Sequence, residues 1–270
     1  MASKQSITVL HITKRNDSDL WGEGRVYWNN KLGKYKALLT NEELALNLPP
    51  TALATKANVE GMLEKYHVVY LKPSNGTGGY GIFKMSLTDA QYRLENGTRL
   101  RSFTTFKGMY AAFQKAKRKK VYLVQKGIPL LRYKALPFDL RIMVQRNRQR
   151  NWEVTGIVGR LALPNKIVTN YHSGGRPMPA GKLLSPFMTK EEQVAYIESL
   201  KELGIKISKH MSGVFPKFMS YGVDVGIDKE MKPWIIEVNT QPDKYIFNAL
   251  SDKRMFRKII RYEKFTKLSR

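Results

Sequence analysis

"LKPSNGTGGYGIFK", residues 71–84, sets Gly76, Gly78, Gly79 and Gly81 in a short turn directly after Lys72 and Pro73. Clustered glycines let backbone N–H groups approach a phosphate closely. Here the lysine stands before the glycines. A P-loop needs Gly-Lys-Ser/Thr after them, and "GTGGYGI" lacks it. The dinucleotide fingerprint needs a helix after the turn, whereas "IFKMSL" alternates like a strand. What remains is a strand–loop–strand hairpin whose tip can fold over phosphates, with Lys72 on the floor beneath it. Taken alone, a hairpin that is glycine-rich for conformational reasons is the commoner explanation.

The flanking pattern gives the loop its setting. "TKANVEGMLEKY" predicts a helix from near Thr55, with Val59, Met62 and Leu63 at helical spacing, and "HVVYL" predicts the buried strand that delivers Lys72. "GIFKMSL", "QYRLEN" and "LRSFTTF" predict an antiparallel meander. "FKGMYAAFQKAKRKK" reads as a helix whose basic end suits its C-terminal dipole. "VYLVQKGI", "PFDLRIMVQRN" and "NWEVTGIVGRLAL" read as strands, as does the opening "SITVLHI". A helix near 190–211 begins with Thr189 and Glu192 in a capping box. Two further strands, "MSYGVDVGID" and "KPWIIEVN", flank a charged turn at 228–232, and a basic amphipathic helix closes the chain. Blocks of strands with separate helices indicate α+β. There is no repeat, low-complexity segment or flexible linker.

A chain of 270 residues with 42% hydrophobic and 11% aromatic residues can bury a sizeable core. It contains no cysteine, which excludes disulfides and thiolate chemistry and fits a cytoplasmic protein. Its four histidines are scattered, so a zinc site is not expected. No apolar run is long enough to span a bilayer, and the first residues lack a signal-peptide pattern. The charge is lopsided: 47 Lys and Arg oppose 22 acidic residues, a net of +25. Residues 115–150 carry twelve basic residues and one acidic, Asp139, and the last twenty carry eight and two. Such a field attracts polyanions: nucleic acid, anionic membrane or an acidic polypeptide. A plain solvated surface is the competing explanation for any one patch.

Three further constellations bear on chemistry. In "KPWIIEVNTQP", strand alternation turns Trp234, Ile236 and Val238 one way and Glu237 with Asn239 the other. A carboxylate and an amide oxygen side by side suit Mg²⁺ between phosphates. In "YGVDVGID", Asp224 opposes the apolar Val223, Val225 and Ile227, so pairing of the two strands brings Asp224, Glu237 and Asn239 together. In "PFDLRIMVQ", Asp139 and Arg141 share a face while Leu140, Ile142 and Val144 supply core, and Arg160 repeats the theme inside "GIVGRLAL". Buried arginines bind phosphate or carboxylate bidentately. The bland alternatives are exposed carboxylates on a half-wet sheet and a surface Asp–Arg pair of little worth.

The order of these motifs resembles the ATP-grasp superfamily. Lys-Pro with its glycine loop, "VQKGI", "FDLR", an Arg-bearing strand, "TNYHSGG" and "VD…EVN" carry the likeness from about Leu48 to Phe247. "LPPTALAT", "VVYLKP", "WEVTGIVGRLA", "IVTN" and "PWIIEVN" look most like the YheC/YheD-type, endospore-coat-associated branch. "VQKGIPLLRYKALPFDLR" and "KPWIIEVNTQP" are also similar to tubulin–tyrosine-ligase-like enzymes, and ribosomal-protein glutamate ligases share the skeleton.

The resemblance implies two α+β subdomains that clamp ATP: a short segment 1–48, a core over 49–250 and a basic C-terminal helix over 251–270. It implies that Lys72 binds phosphates and that Gly76, Gly78, Gly79 and Gly81 close over them. Gln125, Lys126, Gly127 and Ile128 would face adenine, Asp139 the nucleotide, and Asn170 the phosphate side. Arg141 and Arg160 would stabilise the transferred phosphate and a substrate carboxylate, and Asp224, Glu237 and Asn239 would hold Mg²⁺, with Mn²⁺ as the alternative. The family's additional upstream lysine falls best on Lys34, with Lys31 as the alternative. Only about 48 residues precede the core, so any N-terminal substrate domain is expected to be rudimentary. Tyr80 departs from the small or basic residues common at the loop tip.

The expected activity is an ATP- and Mg²⁺-dependent carboxylate–amine ligase using an acyl phosphate. The basic surface points to an acidic peptide, protein or carboxylate as partner, with nucleic acid less favoured. The expected setting is cytoplasmic, in the mother cell or at the spore coat. The rivals are an ATP-grasp kinase of an anionic small molecule and a non-catalytic nucleotide-binding scaffold or polyanion binder.

Overall fold

A computed structural model describes residues 27–268 except 77, 90, 118, 165, 167–168 and 170–173, and the side chains of 266–268 are also left undescribed. The opening strand expected at "SITVLHI" and the site residue Asn170 lie outside the described residues. Among those residues the strands form two antiparallel sheets, each with its own core.

The first elements among the described residues are α1 (Lys31–Leu39) and α2 (Glu42–Ala45), capped by the side chains of Asn30 and Asn41. The first sheet then assembles from β1 (Thr51–Leu53), β2 (Val68–Pro73), β3 (Phe83–Thr88), β4 (Gln91–Asn96), β5 (Arg99–Phe103) and β6 (Tyr122–Lys126), in the order β1-β6-β2-β3-β4-β5. The glycine loop joins β2 to β3, and β3, β4 and β5 form the meander read from the sequence. Two helices cover this sheet, α3 (Lys56–Tyr66) and α4 (Phe106–Ala116), through Val59, Leu63, Met109 and Phe113 against Val69, Leu71 and Met85. Each such fully buried side chain contributes about 1.5–3 kcal/mol of transfer free energy.

Helix α4 is shorter than its sequence suggests. It ends at Ala116, and Lys117 is already extended. The chain must leave the helix there so that Tyr122 can enter β6 between β1 and β2. Lys117, Lys119 and Lys120 are therefore outside the helix, although the Lys117 ammonium still lies over the Phe113 ring at 5.9 Å.

The second sheet contains β8 (Leu136–Arg146), β9 (Trp152–Leu161), β10 (Arg176–Pro179), β11 (Ser220–Ile227) and β12 (Pro233–Asn239), ordered β10-β9-β8-β11-β12, with the short β7 (Arg132–Tyr133) paired to β8. Its helices are α5 (Ala180–Leu184), α6 (Lys190–Val214), α7 (Tyr245–Asn248) and α8 (Arg254–Leu268). The capping box of Thr189 and Glu192 starts α6 as expected. Leu140, Ile142, Val144, Val223 and Val225 face α6, and α1 and α2 join the same core through Ala37, Leu38 and Leu44, followed by Leu48 just beyond α2. The opposite face carries Asp139, Arg141 and Asp224.

One register detail departs from simple alternation. Asp224 pairs with Glu237, but the next pair is Val225 with Ile235, so Ile236 is an extra bulged residue. Ile235 and Val238 therefore both enter the core, each 2% exposed, while Ile236 lies on the other face beside Gly226. The expected common face of Trp234, Ile236 and Val238 is broken by this bulge. The pairing of Asp224 with Glu237 survives it.

Candidate functional site

The glycine loop has the backbone its composition calls for. Gly78, Gly79 and Gly81 have φ of 67°, 80° and 74°, left-handed values at which a side chain is strained. Gly76 is different: its φ is ordinary, but a Cβ there would stand 3.0 Å from Pro73 Cγ. Tyr80 is 61% exposed at the tip, so an aromatic is tolerated because nothing confines it.

Beneath the loop a cleft of about 460 Å³ opens between the two sheets. Lys31, Lys34, Lys72, Gln125 and Glu237 all line it. Lys31 and Lys34 occupy the first turn of α1, where the helix dipole disfavours cations. That placement is a local cost, and the cleft is what offsets it. Lys31 donates to the Gly76 carbonyl at 2.5 Å and lies 2.9 Å from a Glu237 oxygen. The sequence ranked Lys34 first; both lysines reach the cleft, and Lys31 makes the contacts to the loop and to Glu237. Their i, i+3 spacing was the available signal.

Burial lowers the Lys34 ammonium below its ordinary value, with Glu237 opposing the shift. The same cause brings Lys72 down to about 8. Lys72 donates to Gln125 Oε1 at 2.5 Å, and the Gln125 amide in turn donates to the Thr51 hydroxyl at 3.1 Å. Gln125 thus orients the lysine, a role its place in the expected hinge did not suggest. In that hinge the Lys126 N–H goes to Pro50 O at 2.9 Å and the Gly127 N–H to Val68 O at 2.8 Å. Gly127 is also held close: a Cβ would lie 2.6 Å from Val68 Cγ1.

The arginines form a second layer, one network of buried groups. Arg160 donates to both oxygens of Asp139, at 2.7 and 2.6 Å, and its Nη2 also meets Asp224 Oδ2 at 3.0 Å. Arg141 grips Asp224 with two donors, the second at 3.0 Å. Thr169 adds its hydroxyl to Asp139 at 2.6 Å, a partner that sequence reading missed although it precedes Asn170. Asp139, Arg141, Arg160 and Asp224 are each at most 7% exposed. Burial opposes charge on Arg160, yet Asp139 and Asp224 hold its guanidinium well above the usual value. Asp224 likewise stays below the carboxylate range, despite burial, because Arg141 and Arg160 face it. The surface Asp–Arg pair that stood as the bland alternative for "FDLR" does not form: Asp139 and Arg141 are both buried, and each pairs across strands.

A hard divalent cation fits part of this donor set. The Glu237 carboxylate already has the Lys31 ammonium beside it, and Asn239 follows two residues on along β12. Asp224 differs, since both its oxygens carry guanidinium donors. Among the described residues no cluster of three or more His, Cys, Asp or Glu side chains is arranged to hold a metal ion.

A lysine-first glycine hairpin on one sheet, an Arg–Asp network on the other and a cleft between them match a known pattern, and residues 25–265 match the YheC/D-like ATP-grasp family. The chain belongs to that family. Its ATP-grasp relatives include the endospore coat-associated protein YheD of Bacillus subtilis (strain 168), 27% identical over 257 residues. That alignment covers 91% of this chain and 55% of YheD. YheC of the same organism is 19% identical over 190 residues, covering 69% of this chain and 52% of its own length. The chain therefore spans about half the length of these two ATP-grasp relatives. A carboxyaminoimidazole ribonucleotide synthase from Aspergillus clavatus, solved in complex with ATP, is 11% identical with a TM-score of 0.50. That likeness covers 81% of this chain and 46% of the synthase, and it speaks to the fold alone.

Proposed function

We propose that this ATP-grasp chain is an ATP-dependent carboxylate–amine ligase. The observation that carries the reading is the convergence of Lys31, Lys34 and Lys72 with Glu237 in one cleft under a left-handed glycine loop. Lys72 and Lys34 bind phosphate oxygens, and the loop from Gly76 to Gly81 closes over them. The adenine edge meets Ile128 and the hinge carbonyls, because the N–H groups of Lys126 and Gly127 are engaged within the sheet. Asp139 anchors Arg160 and the nucleotide side of the site. Asn170 is assigned to the phosphate side.

A bound Mg²⁺, or Mn²⁺, supplies charge neutralisation at the phosphates. Glu237 and Asn239 would hold it, with Asp224 joining where a guanidinium yields to it. In the first step a substrate carboxylate oxygen bonds to the γ-phosphorus, the bond to the bridging oxygen breaks, and ADP leaves. In the second, an amine nitrogen bonds to the acyl carbon, the carbon–oxygen bond to phosphate breaks, and phosphate departs with the electron pair. The amine's surplus proton passes to water. Arg141 and Arg160 keep donors beside the phosphoryl oxygens, so positioning and charge account for the catalysis. No nucleophilic side chain is required.

The excess of 47 basic over 22 acidic residues favours an acidic peptide or protein as the carboxylate substrate. The names of YheD and YheC motivate a setting in the mother-cell cytoplasm or at the spore coat. No helix among the described residues is long and apolar enough to cross a membrane.

The test is incubation with ATP, Mg²⁺, amino acids and glutamate-rich peptides, followed by mass spectrometry. An amide adduct with release of ADP and phosphate is the expected result. A stable phosphorylated product with no amide would identify a kinase instead, and absence of nucleotide binding would overturn the enzyme reading. Binding of an acidic peptide should weaken steeply as salt rises.

A further inference from the structure

Helix α8 covers the same face of the second sheet that carries the Arg–Asp network, through Met255, Phe256 and Ile259 against Met143 and Val158. Its contacts fix its direction. Near its start, Met255 Sδ accepts the Ile157 N–H at 3.4 Å, and the next residue, Val158, pairs with Arg141. Farther along, Lys258 and Tyr262 meet Glu153 at 2.7 and 2.6 Å. Near its end, the Phe265 ring lies 4.3 Å from the guanidinium of Arg148, in the turn between β8 and β9. The helix therefore runs away from the nucleotide cleft toward that turn.

Every exposed side chain described on α8 is basic: Arg254, Arg257, Arg261 and Lys264. These positions fall within about 80° of arc and span about 15 Å of helix axis. Arg148 and Arg150, both exposed, extend the row at the turn. Like charges three and four residues apart destabilise a helix, so the stripe weakens α8 rather than supporting it. The carboxylates nearby are engaged. Asp252 pairs with Arg254 at 2.6 Å, and its charge also reaches Arg257. Glu153 is held by Lys258 and Tyr262, and Glu263 by Lys244. Among the described residues no carboxylate pairs directly with Arg257, Arg261 or Lys264.

We propose that this stripe docks an extended acidic stretch of the polypeptide substrate, on a track that leads from the β8–β9 turn to the nucleotide cleft. A row of charges one side chain wide fits a linear polyanion better than the plane of a membrane. Side chains on one face of an extended polypeptide recur about every 6.6 Å, a repeat that long, flexible basic side chains can match. The rings beside the stripe are covered, since Tyr262 is 8% exposed and Phe265 lies against Arg148, so bases find no stacking platform there. That favours carboxylates over single-stranded nucleic acid. From Arg141 to Arg146 β8 advances about 16 Å, so the docked stretch is separate from the reacting carboxylate. The purpose of the track rests on the ligase reading, whereas the docking itself needs no ATP.

The experiment is fluorescence anisotropy of a labelled twelve-residue glutamate peptide with the full chain at low salt, without nucleotide. Combining Arg257→Gln, Arg261→Gln and Lys264→Gln should weaken binding about tenfold, the sum of three exposed ion pairs. Combining Arg93→Gln, Arg99→Gln and Arg101→Gln on the first sheet removes equal charge and should change it less than about twofold, since screened charges act only nearby. All six side chains are exposed, and glutamine is a good helix former, so α8 persists in the stripe variant. Equal losses in the two variants would overturn the assignment, because net charge alone would then explain binding. Tighter binding of a twelve-nucleotide single strand or of phosphatidylserine vesicles, lost in the stripe variant, would overturn it in favour of another occupant. With ATP, Mg²⁺ and an amine present, the stripe variant should raise KM for the peptide and leave kcat unchanged. If amide forms with the same KM in that variant, the docking assignment falls and the ligase reading stands. If the peptide docks on the stripe but no amide forms, the ligase reading falls and the docking stands.

Discussion

Lys31 Nζ lies 2.9 Å from Glu237 Oε1 and 2.5 Å from the Gly76 carbonyl oxygen, so one ammonium joins α1, β12 and the glycine loop. Its charge sits where both a phosphate and a divalent cation would make demands. Lys31→Met removes both contacts, and a hydrogen bond to a charged group is worth about 1.5–3 kcal/mol. We expect nucleotide affinity to fall tenfold or more and amide exchange in residues 76–81 to quicken. Fluorescent-nucleotide titration and hydrogen exchange measure both, and unchanged values would remove Lys31 from the site.

Glu237→Gln keeps the shape of β12 and discards the carboxylate. The fold should persist, because Glu237 is only half-buried and lies outside the core. The metal-dependent part of the thermal stabilisation by ATP should vanish. A melting shift that still needs Mg²⁺ in this variant would argue for a different ligand set.

Asp224→Ala should be far more damaging. It strips Arg141 and Arg160 of a shared counter-charge in a buried site, and breaking a buried pair in this way costs about 3–5 kcal/mol. Asp224→Asn, which keeps acceptor oxygen and volume, should cost less. Urea unfolding of the two variants separates the cases. Equal and small losses would mean that the network is not a structural unit.

Gly79 at φ 80° predicts a local cost of about 1–3 kcal/mol for Gly79→Ala, confined to the loop. Gly61 is the control. It lies inside α3 with nothing within 4 Å of an added Cβ, so Gly61→Ala should stabilise by about 0.5–1 kcal/mol. Nucleotide affinity should drop in the first variant and hold in the second.

Lys72 gives a pH signature. Burial brings its folded value to about 8, below the 10.5 of the ordinary group, with Glu237 opposing. Between those values the unfolded chain binds more protons, so this group makes the ligand-free fold more stable as pH rises. Nucleotide binding runs the other way, since phosphate favours the charged ammonium. Affinity should fall as pH passes about 8, with proton uptake on binding near pH 9. Calorimetry in two buffers of different ionisation enthalpy detects that proton, and its absence would show that Lys72 does not meet phosphate.

Much of the fold could be read from local pattern. The meander, the capping box at Thr189 and the pairing of Asp224 with Glu237 follow from alternation and cap chemistry, which depend on near neighbours. The bulge at Ile236 does not, because an inserted residue leaves the hydrophobic sequence unchanged. The site divides the same way. Lys72, Arg141, Arg160 and Glu237 announce themselves as charges inside apolar strands. Their partners do not, since "FDLR" invites pairing of Asp139 with Arg141, and the observed cross-strand exchange depends on which strands become neighbours. Thr169 and Gln125 orient charged groups through single hydrogen bonds, and neutral residues of that kind leave no mark in composition.

Helices α1 and α2 come first among the described elements yet complete a core whose other walls include β8, β9, α6, β11 and β12. During synthesis they leave the ribosome almost two hundred residues before the last of those walls, β12, is complete. Leu38, Leu44 and Leu48 must stay unburied, or be shielded by a chaperone, while the first sheet closes on itself. Assembly of the nucleotide cleft is thus among the last events of folding, so a chain stalled before residue 240 would present a finished first sheet and no site.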